Sequence, residues 1–124
     1  MAKGSLEKLN ELLDHFGTQV VFSPEAIKDY KSFSPGSRQT IIEMIVKQAK
    51  KGARLSPDGA LRSPLHAFGK IKRTSVSIRI IYRPTDIKEG KVQMEIIAIG
   101  PRDKSEVFKA AEERLSRFLE LYGR

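Results

Sequence analysis

Hydrophobic and polar residues change their period several times along this chain, and each change marks an element. Leu6, Leu9, Leu12 or Leu13 and Phe16 recur every three or four residues, opposite Glu7, Lys8, Glu11 and Asp14. That spacing predicts a short amphipathic helix with Ser5 as N-cap and Gly17 as stop. Gln19-Val20-Val21-Phe22 reads as a first strand. Ser23-Pro24-Glu25 then supplies an N-cap, a proline at the first helical position and an acid in the first turn, so a helix opens there. Its apolar face is Ile27, Tyr30 and Phe33 or Ala26. Ser34-Pro35 repeats the start signal for a second helix, which turns Ile41, Ile42, Ile45, Val46 and Ala49 inward and stops at Gly52. The two form an αα-hairpin.

Ser56-Pro57-Asp58-Gly59 and Ser63-Pro64 punctuate a loop over 52–64. Strands follow at 67–72, 76–83 and 91–99. In the middle one Val76, Ile78, Ile80 and Tyr82 alternate with Ser77, Arg79, Ile81 and Arg83, which predicts one buried face. A polar turn joins it to the strand before, and Glu89-Gly90 marks the hairpin to the strand after. Asp103 and Glu106 resemble a capping box for a last helix, with Val107, Ala111, Leu115, Phe118, Leu119 and Tyr122 as its stripe and Gly123 as its stop. The order (α)βααβββα predicts an α+β domain: a small, mostly antiparallel sheet with helices packed on one face. The first helix, residues 1–18, is an extension to a domain over 19–124. It either packs on that domain or offers a docking face to a partner.

Charge changes the picture because it is concentrated. The formal net charge is +8. Between Lys47 and Arg83 there are ten Lys/Arg and one acid, Asp58, whereas the remainder carries 13 basic and 14 acidic residues. Confinement to one segment is the footprint of nucleic-acid binding. Lys70 and Lys72, two residues apart, project from one strand face, and Arg79 on the next strand joins them. With 124 residues and no cysteine, the chain is one domain without disulfides or thiolate zinc. It shows no apolar leader and no membrane-length apolar run, so a soluble cytoplasmic protein is expected.

No Gly-rich phosphate loop, nucleophile elbow or H-E-x-x-H motif is present, His15 and His66 stand far apart, and no carboxylate cluster proposes a metal. A catalyst built from this chain works mainly with cations. Cleavage of RNA through its own 2′-hydroxyl suits such a set, because the substrate brings the nucleophile and the protein need only position, deprotonate and stabilise charge. Lysines crowded by cations lose basicity and can exchange a proton. Lys70, Lys72, Arg79 and Arg102 fit these roles. The competing reading is a solvated basic strand face that contacts RNA without reacting, and composition alone favours it.

The runs Gly69-Lys70-Ile71-Lys72-Arg73, Ile78-Arg79-Ile80-Ile81-Tyr82-Arg83 and Ile99-Gly100-Pro101-Arg102-Asp103-Lys104-Ser105-Glu106-Val107-Phe108 resemble the RelE toxins of the RelE/ParE superfamily, over about residues 20–115 and including Phe22-Ser23-Pro24-Glu25-Ala26. The resemblance implies a toxin of a type II toxin–antitoxin system. Such an mRNA interferase enters the ribosomal A site and cuts mRNA by 2′-hydroxyl attack, without metal or cofactor. Its partners are mRNA, the ribosome with its rRNA, and a cognate antitoxin that wraps it, with no membrane involved. By motif position Lys70 and Lys72 are the active-site lysines, one of them the general base. Arg79 binds the phosphate and Arg102 stabilises the transition state. Lys104, Arg73, Arg83, Lys50, Lys51 and Arg54 extend the RNA-contact surface. Phe108 departs from the family's usual tyrosine, keeping the stacking and losing a hydrogen bond of about 1–3 kcal/mol, which implies a slower enzyme. Two alternatives share the fold: a ParE-like gyrase inhibitor, whose branch generally lacks these cations, and a non-catalytic RNA- or ribosome-binding relative.

Overall fold

A computed structural model describes residues 5–55, 60–73, 75–101 and 106–123. The chain runs through α1 (Ser5–Asp14), β1 (Thr18–Phe22), α2 (Pro24–Ser32), α3 (Pro35–Lys51), β2 (Gly69–Lys72), β3 (Ile78–Asp86), β4 (Val92–Pro101) and α4 (Glu106–Tyr122). Both Ser-Pro signals act as expected. Ser23 accepts the amide of Ala26 and Ser34 that of Ser37, and a proline follows each cap. Gly52 ends α3, its N–H bonding Gln48 O at 2.9 Å. The β3–β4 turn at Lys88–Gly90 holds Glu89 (φ 66°) and Gly90 (φ 75°) in the left-handed region, as a tight hairpin demands. The 56–59 loop, the Asp103 cap and the side chain of Ser5 lie outside the described residues.

The four strands form one sheet in the order β1-β4-β3-β2. The β2–β3–β4 meander is antiparallel, and β1 joins β4 in parallel. The expectation of helices on one face does not hold. One core joins α1, α2 and α3 to Ile71, Ile80, Tyr82, Met94 and Ile96. A second, on the opposite face, joins Val107, Ala111 and Phe118 of α4 to Leu65, Phe68, Ile81, Ile97 and Ala98. Alternation assigned Ile81 to a polar face, yet it is fully buried under α4. In β4 the register shifts between Ile81, opposite Ala98, and Tyr82, opposite Ile96. Ile97 is therefore an extra residue, and the bulge turns Ile97 and Ala98 together towards α4.

Two side chains close the far side of the sheet. Asn10 of α1 pairs with β1 as a strand would, its amide donating to Val20 O (3.1 Å) and accepting Val20 N–H (2.7 Å). Leu9 and Leu13 bury the other side of α1 in the first core, while Leu12 and Phe16 stay exposed. Where β1 ends, Asp29 of α2 accepts Ile99 N–H at 2.9 Å and binds both Nη atoms of Arg114 at 2.6 and 3.0 Å. This pair ties α4 to α2 across the edge of β4. No described helix is long and apolar enough to cross a membrane.

Candidate RNA-cleavage site

β2 and β3 bring the cations together. Ile71 enters the first core, so its neighbours Lys70 and Lys72 project from the opposite face. Lys72 stands directly across from Arg79, and Lys70 across from Ile81, one step diagonally from Arg79. On its other side Arg79 faces Gly100 of β4, which has no side chain to compete for the space. A Cβ on Gly100 would meet Val107 Cβ at 3.3 Å, so glycine also lets the first turn of α4 settle close against the sheet. That turn carries Phe108.

Phe108 lies against two of these cations. Lys70 Nζ lies 6.0 Å and Arg79 Cζ 5.4 Å from its ring centroid, both within cation–π range. Among the described residues, Arg79 Nε is buried and without a hydrogen-bond partner. A buried unsatisfied donor is costly unless a ligand completes it. Lys70 is driven below the ordinary lysine pKa, first by partial burial and then by the charges of Lys72 and Arg79. A cationic strand face, a partly desolvated lysine and an aromatic ring thus converge on one spot.

The other candidates are scattered. Lys51 and Arg54 share the lining of a hollow with Lys70. Arg54 also pairs with Asp86 at 2.7 Å, and Arg73 approaches Glu43 at 3.6 Å. Lys50, one residue from Lys51, points the other way over the ring of Phe16 at 5.7 Å, as a 100° helical step requires. Arg102 and Lys104 lie outside the described residues. His15 and His66 are exposed, and the described residues contain no group of His, Asp or Glu able to hold a metal.

Arg83 corrects the expectation of an RNA contact. Its side chain is 8% exposed, and its Nε donates to Glu95 at 2.7 Å, itself 4% exposed. Its Nη atoms reach Gly123 O (2.8 Å) and Tyr122 O (3.3 Å), and its guanidinium lies 5.0 Å from the Phe118 ring. It fastens the C-terminal end of α4 to the sheet. The network missed from the sequence includes this pair and Asp29–Arg114. Arg83 stands opposite Glu95 in the β3–β4 register, so counting outward from the Glu89-Gly90 turn could have found the first.

Fold and site together define a small α+β protein with a cationic sheet face closed by an aromatic helix residue. No family model and no curated protein matches the sequence. Solved structures do match. A double arginine-to-alanine mutant of the E. coli toxin RelE in the free state is 27% identical with a TM-score of 0.58, over 77% of this chain and 95% of that one. The isolated E. coli RelE toxin is 23% identical with a TM-score of 0.53, over 77% and 96%. The arginine mutant in complex with a RelBc antitoxin peptide is 23% identical with a TM-score of 0.52, over 74% and 90%. The chain has the RelE-like toxin fold.

Proposed function

We propose that the protein is a RelE-type toxin that cleaves mRNA on the ribosome and is held in check by an antitoxin. The observation that carries this reading is the meeting of Lys70 and Arg79 at the Phe108 ring, with Lys72 directly opposite Arg79 and the buried Nε of Arg79 without a hydrogen-bond partner among the described residues. A phosphate diester placed there would accept from Arg79 and lie against the Phe108 ring, on which a base can stack. Lys70, its basicity lowered by its surroundings, takes the proton from the 2′-oxygen. That oxygen attacks phosphorus, the bond from phosphorus to the 5′-oxygen breaks, and the leaving oxygen takes a proton from the ammonium of Lys72 on the same strand face. The products are a 2′,3′-cyclic phosphate and a 5′-hydroxyl. Lys72 and, by motif position, Arg102 offset the charge that builds on the phosphoryl oxygens. Antitoxin control is supported by the RelE neighbour solved with an antitoxin peptide.

Phe108→Tyr tests the site. Restoring a positioned donor of about 1–3 kcal/mol should speed cleavage of ribosome-bound mRNA about 5- to 150-fold. The new 5′ ends should accept kinase labelling without phosphatase treatment. If neither wild type nor the tyrosine variant cuts, while both bind ribosomes, the protein is a non-catalytic binder.

A further inference from the structure

The two edge strands of the sheet differ. β1 is covered by Asn10, whereas β2 is terminal in the strand order, bridged by Ala60 at Gly69 alone among the described residues, and α3 runs beside it. Two hollows lie between them. One, of about 330 Å³, is lined by Lys51, Arg54, Lys70 and Tyr82 among others, and the second, of about 70 Å³, by Lys47, Lys72 and Arg73. Gln48 and Lys51 line both, so the hollows adjoin and together outline a groove between α3 and β2. It meets the candidate site at Lys70 and Lys72.

The charges in this groove oppose each other. Lys47 and Lys51 are four apart on one helix face, a like-charged pair that destabilises a helix slightly. Neither they nor Lys70 and Lys72 form an ion pair among the described residues. Arg54 and Arg73 hold acids only in solvent-accessible pairs, which exchange readily for a better anion. Among the described residues no ion pair ties these lysines into the fold, and a chain of phosphates would offset their repulsion.

We propose that the α3–β2 groove carries single-stranded RNA leading into the candidate site, with Lys47 and Lys51 on its phosphates. The proposal deepens the reading of the site as an RNA-cleaving one, and it extends the contact past the cleaved nucleotide. A peptide helix would want an apolar groove, whereas this one presents ammonium groups continuous with those proposed to hold the scissile phosphate.

The test is fluorescence anisotropy on the full chain with a fluorescein-labelled 2′-O-methyl oligouridylate, which cannot be cut. Two probe lengths are compared, about twelve and about three nucleotides, the longer one long enough to fill a typical single-strand site. The groove variant is Lys47→Gln with Lys51→Gln. The control of equal charge is Lys8→Gln with Lys31→Gln, exposed positions outside the groove. All four lysines are exposed and glutamine is as good a helix former, so melting temperatures should be unchanged. The groove variant should bind the long probe about tenfold more weakly, with the slope of log K against log salt reduced by about 1.4. Its affinity for the short probe should hold, as should the control's for both.

Unchanged binding of the long probe by the groove variant, or no binding by the wild type, overturns the proposal. So does an equal loss in the control, which would make the effect diffuse charge. Normal RNA binding with loss of an acid-rich peptide would assign the groove to a protein partner and also overturns it. The reading of the site fails separately: RNA bound in the groove with no cleavage on ribosomes defeats catalysis and leaves the groove standing.

Discussion

Replacing Arg83 by methionine separates a structural cation from an RNA-binding one. The variant keeps the aliphatic bulk and removes the guanidinium. It leaves Glu95 buried with only Gln93 Nε2 at 3.1 Å as a side-chain donor, and it strips the Gly123 and Tyr122 carbonyls of their bonds to the sheet. Breaking one partner out of a buried pair costs about 3–5 kcal/mol, because the remaining charge has lost its water and its counter-charge. Domains of this size are stable by about 5–15 kcal/mol, so urea unfolding should show the loss of about a fifth or more of the total. Replacing both partners, Arg83→Met with Glu95→Met, should recover most of it, since two well-packed apolar side chains leave no stranded charge. The folded single variant should bind RNA with the wild-type salt slope. A loss under about 1 kcal/mol, together with a slope lowered by about 0.7, would mean that Arg83 faces a phosphate and that the reasoning is wrong.

Two further predictions concern titration. Lys70 must be neutral to accept a proton, so the single-turnover rate on ribosomes should rise with pH at unit slope and level off below 10.5, the ordinary lysine value. Lys72→Ala removes a like charge and should move that inflection to higher pH; an inflection that stays put would clear Lys70 of the base role. Burial raises the Tyr82 phenol from 10.0 to about 12. The folded state therefore holds this proton more tightly than the unfolded one. The corresponding stability is intact below about pH 10 and is lost as pH climbs towards 12, by about 2–3 kcal/mol in all. In Tyr82→Phe that alkaline loss should shrink, while neutral stability falls by about 1 kcal/mol with the 2.9 Å bond to Ala53 O. Urea titrations at neutral and alkaline pH decide it, and an unchanged alkaline loss would refute the assignment.

What could be read from the sequence was local. Ser23-Pro24 and Ser34-Pro35 announce their helices through capping chemistry, Glu89-Gly90 announces a left-handed turn, and the two-residue spacing of Lys70 and Lys72 puts them on one face whatever the tertiary fold. What stayed hidden depends on a second layer. Ile81 sits at an outward position of an alternating strand, and only the arrival of α4 on that face buries it. Arg83 was read as a surface cation for the same reason. Lys50 and Lys51 look equivalent in a basic run, yet helical phase sends one to Phe16 and the other to the groove. The bulge at Ile97 and the parallel pairing of β1 with β4 have no short-range signature, because each is set by partners more than ten residues away.

The central claim is that the Lys70, Lys72, Arg79 and Phe108 cluster cuts ribosome-bound mRNA. Primer extension on mRNA programmed into ribosomes, with wild type and Arg79→Ala and with free RNA as control, tests it directly. The account predicts cuts by the wild type that appear only on ribosomes and vanish in Arg79→Ala. Intact mRNA with the wild type, or cuts that persist without Arg79, would contradict it.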